Sequence, residues 1–244
     1  MNAMPDMKGR NIMDNLWYYS LIDFRKVIDS KYLDGIKPLF YKRSGLIYSQ
    51  GDKSDRIYVV LEGIVKIFNL TVAGREACMS LRYPGTIFGI AEIYGSDFRF
   101  YFAEAYEDAT VLPIGKGLLT TIINEKPSIA LKIIEACGKR IIEKEMYIED
   151  SVMRNAEVRV AHFLVKIAMH QGVCLEDGSA KINSKLSHQI VADLVGLSRQ
   201  TVTTVLTNLR KNGFIKLSHR EILIKDVRML MHHARDRTIS EVKG

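Results

Sequence analysis

Polar side chains able to bind nucleic-acid bases cluster in residues 187–212, which read SHQIVADLVGLSRQTVTTVLTNLRKN. An arginine matches the major-groove edge of guanine, a glutamine matches that of adenine, and a threonine methyl can pack on thymine. The residues assigned to DNA contact are Ser187, Ser198, Arg199, Gln200, Thr203, Thr204 and Lys211. Base contacts are expected from the arginine, the glutamine and the two threonines, whereas Lys211 would face phosphate or solvent.

Two short helices must position these side chains. Their predicted inner faces comprise Ile190, Val191 and Leu194 in the first helix and Val202, Val205, Leu206 and Leu209 in the second. Gly196 permits a tight turn between the helices, and Ser198 is suited to cap the second one. This spacing is typical of a helix-turn-helix, in which the start of the second helix enters the major groove.

A β-hairpin and a basic charge accompany these helices. After Gly213, residues 214–217 and 221–225 alternate around Ser218-His219-Arg220, which predicts a wing beside the DNA-binding helix. Residues 155–244 hold 14 Lys+Arg against 8 Asp+Glu, a net charge of +6 out of +7 for the 244-residue chain. Such an asymmetry indicates a polyanionic partner, and double-stranded DNA fits the readable side chains.

The N-terminal half is rich in short β-forming runs. Between Leu39 and Ile123, turns containing glycine or proline recur about every 8–12 residues, as in a small antiparallel sandwich or barrel. Residues 98–103 are interpreted as one of these strands. Their alternation would place Arg99 and Tyr101 on one face and the three phenylalanines on the other.

From Pro127 the apolar pattern takes the period of a long helix. Ile134, Ile141 and Ile148 recur every seven residues, and Val152 follows at the next seam position. Because β-branched residues at this heptad position favour two strands, the stripe predicts a homodimer interface. The alternative is that the stripe packs on the chain's own β-domain, because Gly138 and Glu145 occupy the other seam positions.

Asn155 is suited to cap a further helix that ends near Gly172, and the domain boundary is placed there. The predicted domains are residues 1–126, an effector-sensing β-domain; residues 127–154, a dimerisation helix; and residues 155–244, a winged helix-turn-helix. The fold class expected from these elements is α+β.

Two segments in this order resemble the Crp/Fnr family of bacterial transcription regulators, over roughly residues 17–226. They are YSQGDKSDRIYVVLEGIVKIFNLTVAGREACMSLRYPGTIFG and IVADLVGLSRQTVTTVLTNLRKNGFI. The resemblance implies a cyclic-nucleotide-binding type of β-roll, a double-stranded β-helix, followed by a dimerisation helix and a winged helix-turn-helix. It also implies a cytoplasmic homodimer on a two-fold symmetric operator, a hinge near Asn155, and activation through RNA polymerase.

The cassette that binds cyclic nucleotides in this family is altered here. Family members carry a Gly-Glu pair for the ribose and an Arg-Ser pair for the phosphate, and the corresponding stretch reads FGIAEIYGSDFRFYFA. Gly89 and Arg99 match, but Ile90 stands at the glutamate position and Phe100 at the serine position. Since isoleucine accepts no hydrogen bond from a ribose hydroxyl, cyclic AMP is not expected as the effector.

An unidentified small-molecule effector is therefore expected in this pocket. Its predicted residues are Ile90, Arg99, Phe100, Tyr101, Lys144 and Glu145, with Tyr94, Phe98 and Phe102 nearby. Lys144 and Glu145 stand where cyclic AMP sensors place the hydroxyl pair that meets adenine. The hypothesis is a small organic anion held by Arg99. The alternative is that the aromatic residues form the barrel core and Arg99 pairs with a carboxylate such as Glu104.

The second DNA-binding helix also departs from the family pattern. Gln200 replaces the common glutamate and Thr204 the common arginine, so the half-site is expected to contain more A·T pairs. Two further alternatives stay open. One is a regulator that is constitutively active without a ligand, and the other is a ligand-binding module that acts on a protein partner.

Other classes of protein lack their required residues. Residues 1–154 contain no histidine and residues 1–77 no cysteine, so neither a metal enzyme, a haem nor an iron–sulfur cofactor is expected. No nucleophile triad or Walker loop indicates an enzyme. Three distant cysteines make no disulfide framework, and the absence of a long apolar run or a signal-like N-terminus predicts a cytoplasmic chain with no membrane partner.

Overall fold

The computed structural model describes residues 22–152, 155–171, 173–174, 177–182, 186–218 and 221–233. Contacts divide the described chain into two compact units. Among the described residues, the first unit comprises residues 22–138 together with His188–Ser198, and the second comprises those within Lys139–Ser187 and those from Arg199 onwards. The domain limits at 126/127 and 154/155 stay predictions.

Two antiparallel four-stranded sheets form the first unit, with strand orders β1-β8-β3-β6 and β2-β7-β4-β5. The strands are β1 Leu39–Tyr41, β2 Leu46–Tyr48, β3 Arg56–Glu62, β4 Val65–Leu70, β5 Glu76–Arg82, β6 Ile87–Phe88, β7 Phe102–Ala105 and β8 Ala109–Gly115. The predicted antiparallel sandwich is thus confirmed.

The core of this unit has two layers because β3 is buried on both faces. Ile57 and Val59 pack with the helices, whereas Tyr58 and Val60 point to the other face and pack in a second cluster with Phe88. Such double burial explains why β3 reads as a continuous apolar run rather than an alternating one. The second cluster also contains Tyr48 and residues of β4, β7 and β8, and it forms the surroundings of Arg99.

Helices flank the sandwich. They are α1 Phe24–Val27, a 3₁₀ turn at Ser30–Tyr32, α2 Lys116–Glu125 and α3 Pro127–Val152. The long helix from Pro127 is as predicted, with proline at its first position, where no amide hydrogen is required. The prediction of β structure as far as Ile123 was wrong for α2, whose Leu119 and Ile122 bury one helical face.

The predicted strand over residues 98–103 was also wrong in its limits. Pairing of β7 begins only at Phe102, and Phe98 makes a single isolated bridge with Lys53. Residues 98–101 therefore follow loop geometry, although their burial still alternates. Arg99 is buried, whereas Phe98 and Phe100 are exposed.

The second unit contains α4 Ala156–Gln171 and α6 Arg199–Lys211, together with a four-stranded antiparallel sheet of order β11-β12-β10-β9. Its strands are β9 Val173–Cys174, β10 Ala180–Ile182, β11 Ile215–Leu217 and β12 Ile222–Ile224. The predicted hairpin is formed by β11 and β12, and β9 and β10 extend it. The predicted turn residues His219 and Arg220 lie outside the described residues.

Helix α5, His188–Val195, groups with the first unit. It lies against β5, where the Asp193 carboxylate accepts a hydrogen bond from the backbone amide of Cys78 at 3.2 Å. Cys78 is buried and Cys137 half-buried, and neither forms a disulfide. In the described part of the chain, no helix is both long and apolar enough to cross a membrane.

Candidate functional site

The predicted base-reading residues share the exposed face of α6. The four inner residues Val202, Val205, Leu206 and Leu209 are all buried, as the sequence predicted. Arg199, Gln200, Thr203 and Thr204 are exposed, and the helix begins at Arg199 directly after Ser198. The arginine and glutamine therefore lie in the first turn, where a recognition helix meets base edges.

The two threonines have already used their hydroxyl hydrogens within the helix. Thr203 Oγ1 donates to the Arg199 carbonyl at 2.9 Å, and Thr204 Oγ1 donates to the Gln200 carbonyl at 3.1 Å. What each offers to a ligand is an acceptor oxygen and a methyl group. Those are the groups that suit contact with adenine N6 or a thymine methyl.

The turn before α6 has the geometry that the glycine was expected to provide. Gly196 has φ +63°, and the amide of Leu197 donates to the Ala192 carbonyl at 2.9 Å. The inner face of α5 differs slightly from the prediction, because Val195 is buried while Leu194 is only half-buried. Ser187 and Lys211 are exposed, as contacts with phosphate would require.

Arg99 is the centre of the effector-site prediction, and it is buried, with 2% of its surface exposed. Nη1 donates to the Gly89 carbonyl at 2.9 Å, and Nη2 donates to the Arg56 carbonyl. The guanidinium lies over the Tyr48 ring, 4.5 Å from its centroid. Burial in this layer raises the pKa of the Tyr48 hydroxyl above its ordinary value.

The carboxylate paired with Arg99 is Glu92, not Glu104. Glu92 Oε2 lies 3.5 Å from Arg99 Nη1, and the Glu92 side chain is 5% exposed. Glu104 instead pairs with Lys66 at 2.6 Å, and Lys66 also contacts Glu76. Burial of Lys66 acts to lower its pKa, but the hydrogen bonds that it donates to Glu104 and Glu76 raise the pKa above the ordinary value.

Other residues of the predicted effector pocket do not gather around Arg99. Phe100 is 57% exposed, and Ile90 packs against the helical layer of the core. Tyr101 is half-buried beside the second cluster, on the same side of the chain as Arg99. Lys144 and Glu145 are exposed on α3, where Lys144 Nζ lies 5.8 Å from the centre of the Tyr147 ring. Their approach to the pocket stays a prediction.

Sequence reasoning missed Glu92, Tyr48 and Tyr58 as partners of Arg99. Glu92 lies in a turn over residues 90–95, and its backbone carbonyl accepts hydrogen bonds from the amides of Gly95 and Ser96. The signal available in the sequence was an acidic residue seven positions before the arginine, across a glycine-containing turn. Within the described residues, no cluster of histidine, cysteine and acidic side chains could hold a metal ion.

The predicted seam of α3 is exposed in the single chain. Ile134, Ile141 and Ile148 are 64%, 59% and 60% exposed, so they do not pack on the chain's own β-domain. Val152 ends the helix, and its side chain lies outside the described part of the structure. At the following junction, Asn155 Oδ1 accepts from the amides of Glu157 at 2.9 Å and Val158 at 3.4 Å, which confirms the predicted cap of α4.

Comparisons with known proteins agree with this arrangement. Residues 38–126 match the cyclic nucleotide-binding domain, and residues 158–232 match the Crp-like helix-turn-helix domain. The fold, the exposed face of α6 and these matches thus define a DNA-binding transcription regulator with a β-domain of the cyclic nucleotide-binding type.

Relatives identify the family. The chain is 32% identical over 187 residues to the global nitrogen regulator of Synechocystis sp., covering 75% of this chain and 82% of the relative. It is 31% identical to the nitrogen fixation regulation protein FixK of Rhizobium meliloti, covering 72% and 77% of the two chains. The chain belongs to the Crp/Fnr family, whose members in these comparisons are transcription regulators rather than enzymes.

Solved structures share the fold. FixK2 of Bradyrhizobium japonicum aligns with a TM-score of 0.70 at 21% identity, covering 81% of this chain and 96% of its own. A CRP/FNR-family transcriptional regulator of Thermus thermophilus aligns with a TM-score of 0.64 at 26% identity, covering 82% and 98%. These likenesses support the α+β class and the predicted order of β-roll, helix and helix-turn-helix.

Proposed function

We propose that this regulator acts as a homodimer on a two-fold symmetric operator. The observation that carries the proposal is the row of exposed isoleucines on α3, since three large apolar side chains on one helical face need a partner surface. A second copy places the same isoleucines opposite them and brings two α6 helices to the DNA. Half-sites one helical turn apart then follow from the symmetry.

Direct reading of the half-site is assigned to the first turns of α6. Arg199 would bind guanine, Gln200 adenine, and Thr203 or Thr204 a thymine methyl. Lys211 and Ser187 would contact phosphates on either side. The half-site is therefore richer in A·T pairs than that of family members with a glutamate and an arginine at positions 200 and 204.

The β-roll is proposed to control DNA binding in response to a small molecule other than cyclic AMP. Ile90 packs in the core where family sensors place the ribose-binding glutamate, and Phe100 is exposed. By family resemblance, the bound dimer acts in the cytoplasm and activates transcription through RNA polymerase.

The test is selection of DNA from a random pool by the purified protein at a fixed salt concentration, with and without a small-molecule cell extract. A two-fold symmetric consensus is expected, and binding to it should weaken steeply as salt rises because phosphates are neutralised. The matched variants are Gln200→Glu, which should shift the consensus at one position, and Gln50→Glu, the same substitution at an exposed position of the first unit, which should leave the consensus unchanged. Enrichment of no sequence under either condition would contradict the proposal.

A further inference from the structure

Groups of the same chain surround the guanidinium of Arg99 and balance its charge. Two backbone carbonyls accept its hydrogen bonds, an aromatic ring covers one face, and the carboxylate of Glu92 lies 3.5 Å from Nη1. Both side chains of the ion pair are almost completely buried. An anion entering this site would have to compete with a carboxylate that is already inside it.

We propose that the Glu92 carboxylate is a built-in counter-ion of Arg99, which occupies the place of an external anion and keeps the β-roll in its ordered state without an anionic effector. The proposal rests on the proposed function, and it specifies its control: DNA binding does not require an anion at Arg99. Any small molecule that acts through the β-roll would then be neutral or cationic, or would bind at another place.

Charge balance makes the entry of an external anion unfavourable. A buried guanidinium is stable only with a counter-charge, and a buried carboxylate likewise. If an external anion paired with Arg99, Glu92 would be left buried without its partner. The binding free energy of an external anion is therefore small, because one ion pair replaces another and the Glu92 carboxylate is either exposed or left buried without a partner.

The local backbone holds Glu92 in this position. The turn over residues 90–95 is closed by hydrogen bonds from Gly95 and Ser96 to the Glu92 carbonyl, at 3.0 Å and 2.7 Å. Gly89, with φ +73°, turns its own carbonyl towards Arg99 just before that turn. A segment of four residues thus supplies both the hydrogen-bond acceptor and the counter-ion.

One nitrogen of Arg99 donates no hydrogen bond. Its Nε has no hydrogen-bond partner in the structure, although it is buried. Glu92 therefore balances the charge of the guanidinium without occupying every N–H group. If Glu92 lost its charge, the guanidinium would keep a positive charge without a counter-ion and an unused donor at Nε, so an external anion should bind there, which makes the role of Glu92 measurable.

Inorganic phosphate is the probe, at constant ionic strength with chloride as reference. Three proteins are compared: the unmodified chain, the Glu92→Gln variant and the Glu62→Gln variant. The last is the matched control, because Glu62 is exposed in the same unit. Glu92→Gln should bind phosphate about 30-fold more tightly than the unmodified chain. This factor is at the lower end of the range expected when one partner of a buried charge pair is removed. Calorimetry and the phosphate-dependent rise in Tm measure this difference. Adding Arg99→Gln to the Glu92→Gln variant should abolish it.

Operator binding gives the second readout. Under the conditions in which the operator was selected, the unmodified protein should bind it equally well in chloride and in phosphate buffer, and Glu92→Gln should bind it more weakly until phosphate is added. Equal phosphate affinity of the unmodified protein and Glu92→Gln would overturn the proposal, and so would operator binding by the unmodified protein that requires phosphate. If Glu92→Gln does not fold, the phosphate dependence of operator binding by the unmodified protein decides alone. If no DNA is bound by any protein, the proposed function fails, while the phosphate comparison still tests Glu92.

Discussion

Gly89 is the residue whose backbone conformation makes the Arg99 site possible. It has φ +73°, and a Cβ atom added there would lie 2.6 Å from Arg99 Nη1. The site therefore needs glycine for two separate reasons, a left-handed backbone and the close approach of a guanidinium. Family resemblance explains why a glycine stands here, and the geometry explains what it does in this chain.

Gly89→Ala is expected to lower the free energy of unfolding. The left-handed backbone alone costs about 1–2 kcal/mol for a residue with a Cβ, and displacement of the guanidinium adds to this. The measurement is urea denaturation followed by circular dichroism. Gly117→Ala is the matched control, because its Cβ would meet no atom within 4 Å and it lies in α2; it should stabilise by about 0.4–1 kcal/mol. Equal effects of the two substitutions would contradict this account of Gly89.

Single residues were predictable from the sequence where a side chain acts alone. The exposed positions of Arg199 and Gln200 follow from the apolar period of α6, because the buried positions of a helix determine which positions face solvent. The partner of Arg99 was not predictable in this way. Glu104 was suggested as an example of a nearby carboxylate, but a turn over residues 90–95 brings Glu92 to the arginine, and sequence periodicity carries no information about such a turn.

At the scale of elements, α4 begins with a side-chain cap. Asn155 Oδ1 accepts hydrogen bonds from the amides of the second and third residues that follow, and these amides have no helical partner of their own. The Glu157 carboxylate, in the same first turn, lies 2.7 Å from His233 Nε2. The start of α4 is therefore tied both to the residue before it and to the helical residues 227–233.

Asn155→Ala should destabilise the second unit by about 1 kcal/mol, the typical effect of losing a cap. Asn155→Asp is the control, since aspartate accepts the same hydrogen bonds and should leave stability almost unchanged. Both variants can be compared by thermal unfolding and by hydrogen exchange of the amides of Glu157 and Val158. Faster exchange in both variants, or in neither, would show that the Asn155 side chain does not hold this helix end.

Elements were predicted well where the apolar period was long and unambiguous. Pro127 and the heptad of isoleucines predicted α3, and the limits of α4 agree within a residue. Helix α2 was missed because its apolar residues come in adjacent pairs, Leu118-Leu119 and Ile122-Ile123, over only ten residues. A run that short fits a buried strand as well as a helix, and the packing of Leu119 and Ile122 against the core decides between them.

At the scale of the whole molecule, charge and exposed apolar surface lie in different parts of the chain. The basic excess of +6 belongs to residues 155–244, where α6 carries its exposed polar face. The exposed isoleucines belong to α3. Both features were predictable because composition and heptad period need no tertiary information, and each suits a different partner: DNA for the first, a second copy of the chain for the second.

Ile141→Glu should convert the proposed dimer into a monomer and weaken operator binding, because two recognition helices then no longer bind as one unit. The fold of each chain should persist, since Ile141 is 59% exposed in the single chain. Lys132→Glu is the control: it is also exposed on α3, but nine residues away, which is the opposite side of a helix. Analytical ultracentrifugation and operator titration provide the measurements. An Ile141→Glu protein that still sediments as a dimer would require a different interface, whereas a monomer that binds the operator as tightly as the unmodified chain would separate dimerisation from DNA binding.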